Sequence, residues 1–390
     1  MWNIFPVIIQ NFQISIYTFA EKLFLESSST QKPVIIWLLS GCFIIYIMVV
    51  VGCITRLTHS GLSMTHWSIT GSLPPLSDEQ WTIEFEKYAK SPEYKLVNSG
   101  MTVEQFKSIY WWEWAHRFIG RSVLSGTFFL GFVWLLIRKK LNKSMMIKSG
   151  ILLCLGAAQG LIGWWMVKSG LVDNPAVSHI RLATHLMSAF TCFAVTFWFA
   201  LQLIYKNQDQ LQQNDNKKLL PYVLLLFIVF ILQIIFGAFV AGLKAGLVMP
   251  TWPKMGNYWY PSDYIEVSDS WITNLFENVY GVQFVHRTFA FIVVVMVGVV
   301  WIKSNRLRIS KEANFGVSLI VYGTAIQFIL GVWTLLHQVP VVLGVLHQTG
   351  AFFLFASSLF LLFHLFYNKK NVHQIGPVPE ENQSVTSSNS

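Results

Sequence analysis

Four histidines stand in apolar stretches of the sequence, where an ionisable side chain is costly and usually serves a function. They are His116, His185, His286 and His347, four of the ten histidines in the chain. Two neutral imidazoles that face one another across a helix bundle are suitable axial ligands for a haem iron. Because the four recur at matching positions, they predict two such ligand pairs.

Other interpretations of these histidines are weaker. A single histidine inside a membrane span is often a hydrogen-bonded core residue, but four at matched positions are not explained in that way. A zinc site would need a third or fourth ligand, and no cysteine, aspartate or glutamate within a span pairs with His286 and His347. Nearby small residues would let a flat macrocycle approach the helix backbone; they are Gly120, Gly156, Gly160 and Gly163.

Glu113 precedes His116 by three residues, so the two side chains share a helix face. The residue at the same distance before His286 is the neutral Gln283. A carboxylate beside a haem edge in a low-dielectric site can accept a proton or stabilise developing positive charge. We therefore expect chemistry in the first half of the chain and electron transfer or structure in the second. A salt bridge between Glu113 and an arginine is the competing interpretation.

Five arginines are candidates for binding haem propionates, because a guanidinium makes paired, charge-assisted hydrogen bonds to a carboxylate. They are Arg56, Arg117, Arg121, Arg181 and Arg287. Three of them, Arg56, Arg121 and Arg181, have uncharged counterparts in the second half of the chain, which are Ala241, Phe291 and Leu343. Anchoring at the membrane interface is the alternative role for each arginine.

The composition indicates the elements that must hold these residues. Of the 390 residues, 54% are hydrophobic and only 12% are charged, whereas soluble domains carry about 25% charged residues. This composition excludes a disordered chain, an ordinary soluble enzyme and a nucleic-acid-binding protein with basic arms. An all-α membrane protein remains, and the net charge of +9 is then a bias of its loops.

Eight apolar stretches are long enough to cross a bilayer as helices, since a span needs about 20 residues. They cover residues 34–55, 114–137, 149–167, 181–205, 219–242, 281–302, 315–336 and 343–366. Lysines and arginines are concentrated in the connections after the second, fourth, sixth and eighth stretches. The positive-inside rule then places both termini in the cytoplasm and the long loops 56–113 and 243–280 outside.

The segments between and beyond the spans have simpler predicted roles. Residues 1–33 resemble neither a cleaved signal nor an arginine-rich transit peptide, and they are expected to form a cytoplasmic or interfacial segment. Residues 206–218 form a cytoplasmic linker, and the polar, serine-rich residues 368–390 form a disordered tail. These features favour a bacterial inner membrane, with the mitochondrial inner membrane as the alternative.

The two halves of the chain repeat one another. Gly52 and Met64 recur as Gly237 and Met249 at an offset of 185 residues, and further matches follow at slightly smaller offsets. Those are 170 for His116 and Arg117, 168 for Gln159 and Gly163, and 162 for His185 and Ala189. Because each unit has an even number of spans, the repeat is parallel. Two four-helix bundles are expected, covering residues 34–205 and 219–367.

The first outer loop and the start of the second span carry the most specific motifs. They are SGLSM at 60–64, TGSLPPLS at 70–77, SPEY at 91–94 and EQFKSIYWWEWAHRFIGR at 104–121. With these motifs the chain, over residues 34–366, resembles the haem A synthase family in its mitochondrial and Gram-negative form. The Gram-positive form carries a cysteine pair in the first outer loop, and this sequence has none there. A mechanism that uses that thiol pair is therefore not available.

The resemblance implies an activity and a cofactor. It implies oxidation of the C8 methyl group of haem O to a formyl group, by successive hydroxylations with water-derived oxygen, which gives haem A for terminal oxidases. His116, His185 and Glu113 would then hold the substrate haem, and His286 and His347 would hold haem b. Association with haem O synthase is also implied. The electron acceptor is unidentified, and a homo-oligomer stays open.

Two other functions are compatible with parts of the pattern. A non-catalytic dihaem b-type cytochrome in electron transfer would use the same histidines, but it leaves the difference between Glu113 and Gln283 unexplained. A transporter with a parallel repeat would place polar or broken helices at the membrane midplane. Here the polar groups gather toward the outer face instead.

Overall fold

The structure is a computed structural model that describes residues 31–66, 73–171, 175–205, 215–265 and 270–366. The predicted tail at 368–390 lies outside the described residues. So does most of the predicted segment 1–33 and of the linker 206–218. Within the described ranges the chain is helical, with a single isolated bridge between Met255 and Tyr258 and no strand.

In the part of the chain that the structure describes, eight helices are long and apolar enough to cross a membrane. In chain order they are α1 Lys32–Leu57, α2 Val103–Ile137, α3 Lys143–Lys168, α4 His179–Ile204, α5 Asn216–Gly242, α6 Val279–Ser304, α7 Lys311–Leu336 and α8 Val341–Phe366. The prediction of an all-α protein with eight spans is confirmed. Most ends differ from the predicted ones by two to six residues, because capped polar turns extend the apolar segments.

Helix α2 differs most from its prediction, since it begins at Val103 rather than at residue 114. A capping box explains the early start. The Thr102 hydroxyl accepts from the Gln105 backbone N–H, and the Gln105 side chain accepts from the Thr102 backbone N–H. The predicted outer loop is thus partly helical, and it also contains the short helices Asp78–Ala89 and Pro92–Leu96.

Helix α2 also changes its winding inside the membrane. Residues Ile119–Ser125 form a π-helical segment directly after the turn that carries His116. The corresponding part of α6 is a regular α-helix through Ser304. A π segment widens a helix locally and often marks a functional site. No pattern in the sequence predicted this segment.

Four helices occupy the middle of the molecule. Helix α1 packs on α4, and α5 packs on α8; α4 also packs on α5 and α1 on α8. Across this interface Phe190 meets Phe352, its counterpart in the repeat, with ring centroids 5.4 Å apart. A residue that contacts its own counterpart lies at an axis of approximate two-fold symmetry. This packing is compatible with two bundles that lie side by side and are related by an axis along the membrane normal.

The outer loop folds over the first half of the chain. Its short helices bury an aromatic cluster against the start of α2, formed by Met64, Trp81, Tyr88, Phe106 and Tyr110. Burial of side chains of this size stabilises a site by about 1.5–3 kcal/mol each. The cluster therefore fixes the loop segment that follows α1 against α2, close to Glu113.

Candidate haem sites

The structure brings the four histidines together as two pairs. His116 of α2 and His185 of α4 are close enough for their charges to interact, and so are His286 of α6 and His347 of α8. All four residues are half-buried rather than sealed. A histidine that only satisfied the core would be closed in by packing. These imidazoles instead border space that a ligand can reach.

Each imidazole rests against a glycine of a neighbouring helix. A Cβ atom built on Gly163 would lie 2.9 Å from Cε1 of His185, and one on Gly331 would lie 2.8 Å from Cε1 of His347. The same atom on Gly52 or Gly237 would lie 3.1 Å from the ring of His116 or His286, respectively. A Cβ atom would force the rings at Gly163 and Gly331 to shift and would crowd those at Gly52 and Gly237, so both halves reserve the same space for an imidazole.

A glutamine holds the second histidine of each pair. Nε2 of Gln159 donates to the backbone carbonyl of His185 (3.2 Å) and lies 3.3 Å from Nδ1 of the ring. Gln327 makes the same contacts with His347, at 2.8 Å and 3.1 Å. Gln159 and Gln327 occupy matching positions in the two repeats. A polar amide at matched positions within two apolar spans was the signal for this role.

The donor set fits a haem iron. Nδ1 of His185 and of His347 contacts a glutamine, and Nε2 of these two rings forms no hydrogen bond with a described residue, so that nitrogen is available to a metal. No third histidine, cysteine or carboxylate of the described residues joins either pair as a metal-binding group. Two imidazoles without further ligands match axial ligation of a porphyrin iron rather than a tetrahedral zinc site.

Glu113 lies in a dense network of hydrogen bonds. Its side chain is 3% exposed and accepts from the Ser63 hydroxyl and the Met64 backbone N–H, each at 2.7 Å. It also forms an ion pair with Arg117, one turn later on α2. The salt bridge that was the competing interpretation of Glu113 is therefore present. The same contacts hold the carboxylate at a fixed place on the face that carries His116.

Arg117 and Arg287 anchor loops in the same way in both halves. Arg117 donates to the carbonyls of Met64 (3.0 Å) and His66 (2.9 Å). Arg287 donates to the counterparts of these residues, Met249 (2.7 Å) and Thr251 (2.8 Å). Their guanidinium groups are thus already engaged with backbone carbonyls, which the prediction of propionate binding did not anticipate.

The other three arginines have separate surroundings. Arg56 donates to the carbonyl of Ala241 and so joins the two halves of the molecule. Arg181 donates to the carbonyl of Trp165 (3.0 Å), and its guanidinium lies 4.5 Å from the centroid of that indole ring. Arg121 lies in the π segment, and no described residue forms a hydrogen bond with its guanidinium. Of the five candidates, it is the freest to meet a ligand carboxylate.

Comparisons with known proteins agree over nearly the whole chain. The sequence model of a family described as cytochrome oxidase assembly protein, COX15-CtaA, matches residues 35–359. The "Heme A synthase" of Flavobacterium johnsoniae is 47% identical over 340 residues, which are 86% of this chain and 98% of the relative. That of Flavobacterium psychrophilum is 48% identical, over 85% of this chain and 98% of its own length. "Heme A synthase COX15" of Arabidopsis thaliana is 43% identical, over 85% of this chain and 74% of the relative.

Proposed function

The chain belongs to the COX15-CtaA family of cytochrome oxidase assembly proteins, and on that premise we propose how its two histidine pairs perform haem A synthesis. The protein is a multi-pass membrane oxidoreductase that converts haem O to haem A. The observation that carries the assignment of its sites is the difference between two otherwise matched histidine pairs. Both are backed by glycine and held by glutamine, but only the first has a buried carboxylate on its helix face.

The reaction requires the removal of electrons and protons from one methyl group. Conversion of the C8 methyl group and one water to a formyl group releases four electrons and four protons. The first hydroxylation gives an alcohol, and the second gives a hydrate that loses water to form the aldehyde. The site must therefore hold the porphyrin still, admit water, and accept protons beside the methyl carbon.

The first pair, His116 and His185, holds the substrate haem in this proposal. Glu113 then lies beside it with a fixed orientation, because Ser63, Met64 and Arg117 occupy its oxygens. A carboxylate held in this way stabilises positive charge that develops on the methyl carbon, and it accepts the proton of the attacking water. Arg117 pairs with the carboxylate and holds it in place. Arg121, which lies nearby on α2, is free to bind a propionate.

The second pair, His286 and His347, holds haem b, which supplies a one-electron redox centre when bound. Gln283 occupies the place of Glu113 here, so no carboxylate of this helix face is available for proton transfer. Gln327 and Gly331 fix the ring of His347, and Gly237 fits against that of His286.

The membrane orientation and the partners belong to the same proposal. The basic connections support a cytoplasmic location for both termini, with the histidine pairs toward the outer face. The bacterial relatives favour a bacterial inner membrane. Haem O synthase is the expected source of substrate, the electron acceptor is unidentified, and a homo-oligomer is compatible with the exposed apolar helix faces.

Pigment analysis tests the function directly. The protein is produced together with haem O synthase in a host that makes no haem A, and its haems are extracted and separated by chromatography. We expect haem B together with haems O and A. Haem B alone, with two similar b-type spectra and no formyl product, would instead identify a non-catalytic dihaem cytochrome.

A further inference from the structure

The gap between the second and third helices is closed in one half of the molecule. In the second half, α6 and α7 pack against one another, and Phe291 meets Phe328 at this contact with ring centroids 5.6 Å apart. Trp252 of the outer loop lies against the same ring, at 6.1 Å. The aromatic pair thus fills the gap beside His286 and His347.

The first half has no such closure. By the repeat offsets, the counterparts of Phe291 and Phe328 are Arg121 and Gly160. A Cβ atom built on Gly160 would meet nothing within 4 Å, and the same holds for Gly156 one turn earlier. The counterpart of Gly156 is Thr324, which is buried. Side chains that fill the second half are therefore missing from the first.

The backbone follows the same difference. The backbones of α2 and α3 are not in close contact, and the apolar cluster that contains side chains of both, Leu135 with Met145 and Leu152, lies toward their connection, whereas α6 and α7 pack closely. Only 6% of the apolar segment of α2 and of α3 is buried, compared with 17% for α6 and for α7. The π segment of α2, which packs on α1, has no equivalent in α6. Helix packing, winding and side-chain volume therefore all leave the first half open.

The gap connects the first histidine pair to the membrane side of the protein. Gly163, which touches the ring of His185, lies one turn after Gly160 on α3. Arg121 lies five residues after His116 on α2. Large apolar side chains close to these residues in the sequence are exposed, with Phe118 on α2 and Leu161 and Trp164 on α3. Such a surface is solvated by lipid chains at low cost.

We propose that the gap between α2 and α3 is a lateral opening through which the tailed porphyrin substrate enters from the bilayer and the product leaves. The inference rests on the proposed function. A porphyrin with a long hydrocarbon chain can pass sideways while its chain stays among lipids, which avoids the cost of exposing it to water. Arg121 at the opening meets a propionate by charge complementarity. The Phe291–Phe328 contact keeps the second porphyrin in place.

Exchange kinetics test the opening with one substitution in each half. Gly160→Phe restores the aromatic ring that the second half has, and Gly150→Phe is the matched control on α3, roughly 15 Å away along the axis in equally open space. Binding of haem O from detergent micelles is followed by stopped flow, and its release by transfer to apomyoglobin. We expect Gly160→Phe to slow both association and release by about tenfold or more, as for binding limited by a conformational step, while Gly150→Phe leaves both rates unchanged.

The opening is overturned by unchanged exchange in Gly160→Phe, by faster release with slow association, or by equal slowing in Gly150→Phe. Faster release would mean that the ring fills the site rather than its entrance. The reciprocal variant Phe328→Gly is expected to release haem b to apomyoglobin faster than wild type, and unchanged retention also contradicts the inference. The haem b spectrum reports folding of the Gly160 and Gly150 variants. If the wild-type protein makes no haem A but Gly160→Phe still slows haem exchange, the proposed reaction is wrong and the lateral opening is retained.

Discussion

Glu113 and Gln283 occupy equivalent positions, and each forms hydrogen bonds with the outer loop of its own half, Glu113 as an acceptor and Gln283 as a donor. Glu113 accepts from the Met64 backbone N–H at 2.7 Å, whereas Gln283 donates to the backbone carbonyl of Met249 at 3.4 Å and to that of Ala245 at 2.9 Å. Met249 is the counterpart of Met64. The side chain at this position therefore fixes the outer loop in both halves, and only the first half has a negative charge there in addition.

Glu113→Gln removes that charge and keeps the size of the side chain. We expect the variant to bind haem O and haem b but to lose haem A formation, with accumulation of the alcohol intermediate, because the proton acceptor is gone. Pigment chromatography of the purified variant measures this. Wild-type amounts of haem A would remove Glu113 from the mechanism.

The reverse substitution, Gln283→Glu, tests the structural task in the second half. A carboxylate there would face the carbonyls of Ala245 and Met249 in a site that is 2% exposed. Loss of the two donated hydrogen bonds should destabilise the protein by about 1–3 kcal/mol. Thermal denaturation followed by circular dichroism measures the change, and an unaltered midpoint would mean that the loop contact contributes nothing.

His286→Ala or His347→Ala should remove haem b from the purified protein, since each deletes one axial ligand of the second pair. Substrate haem should still bind to His116 and His185, because the two pairs share no ligand. Pyridine haemochrome assays give the haem content of each variant. A haem b content equal to that of wild type would contradict the assignment of this pair.

The glycines that support the imidazoles allow a test with a single methyl group. Gly331→Ala places a Cβ atom 2.8 Å from Cε1 of His347, so the ring must move and haem b should be lost or its spectrum altered. Gly150→Ala adds the same methyl in open space, where it should stabilise the helix by about 1 kcal/mol. Absorption spectra and thermal denaturation compare the two variants. Equal haem b spectra would show that Gly331 has no part in seating the ring.

Gln327→Leu removes the amide that contacts Nδ1 of His347 and keeps the volume of the side chain. Loss of such an outer contact commonly weakens metal binding by about 10–100-fold. We expect faster transfer of haem b to apomyoglobin and a shifted midpoint potential, while Gln159→Leu should leave haem b unchanged and act on the substrate haem. If Gln327→Leu retains haem b with the wild-type potential, Gln327 does not position His347.

The outer loop should be less stable at higher pH. Burial raises the pKa of the Glu93 carboxyl from 4.5 to about 7, and the charge of Glu113 raises it further, while the Tyr88 hydroxyl and Lys244 act against this shift. Because the folded state holds the proton more tightly, the stability present below pH 4.5 declines as the pH rises to about 7. Thermal denaturation of wild type and Glu93→Gln between pH 5 and 8 measures it. If the melting temperature changes equally with pH in both proteins, Glu93 is not the source of the pH dependence.

The sequence by itself determined the elements and the inventory of ligands. Hydropathy predicts eight spans because each must satisfy its backbone hydrogen bonds within apolar surroundings, and this requires a long uninterrupted helix. The repeat then identifies the four histidines, since a costly ionisable group that recurs at matched positions is retained for a reason. Helix ends were less accurate, as for α2, because capping by Thr102 and Gln105 extends a helix beyond its apolar part.

Tertiary structure alone decided which groups are engaged and where the molecule is open. Arg117 and Arg287 resemble free cations in the sequence, yet the loop carbonyls of Met64 and Met249 occupy them. These contacts join residues about 40 to 50 positions apart, and no local pattern encodes them. The π segment of α2 and the gap at Gly160 likewise depend on how neighbouring helices pack. Hydrophobicity determines that a helix forms in the membrane, whereas the packing of the neighbouring helices determines which contacts its side chains make and where gaps are left.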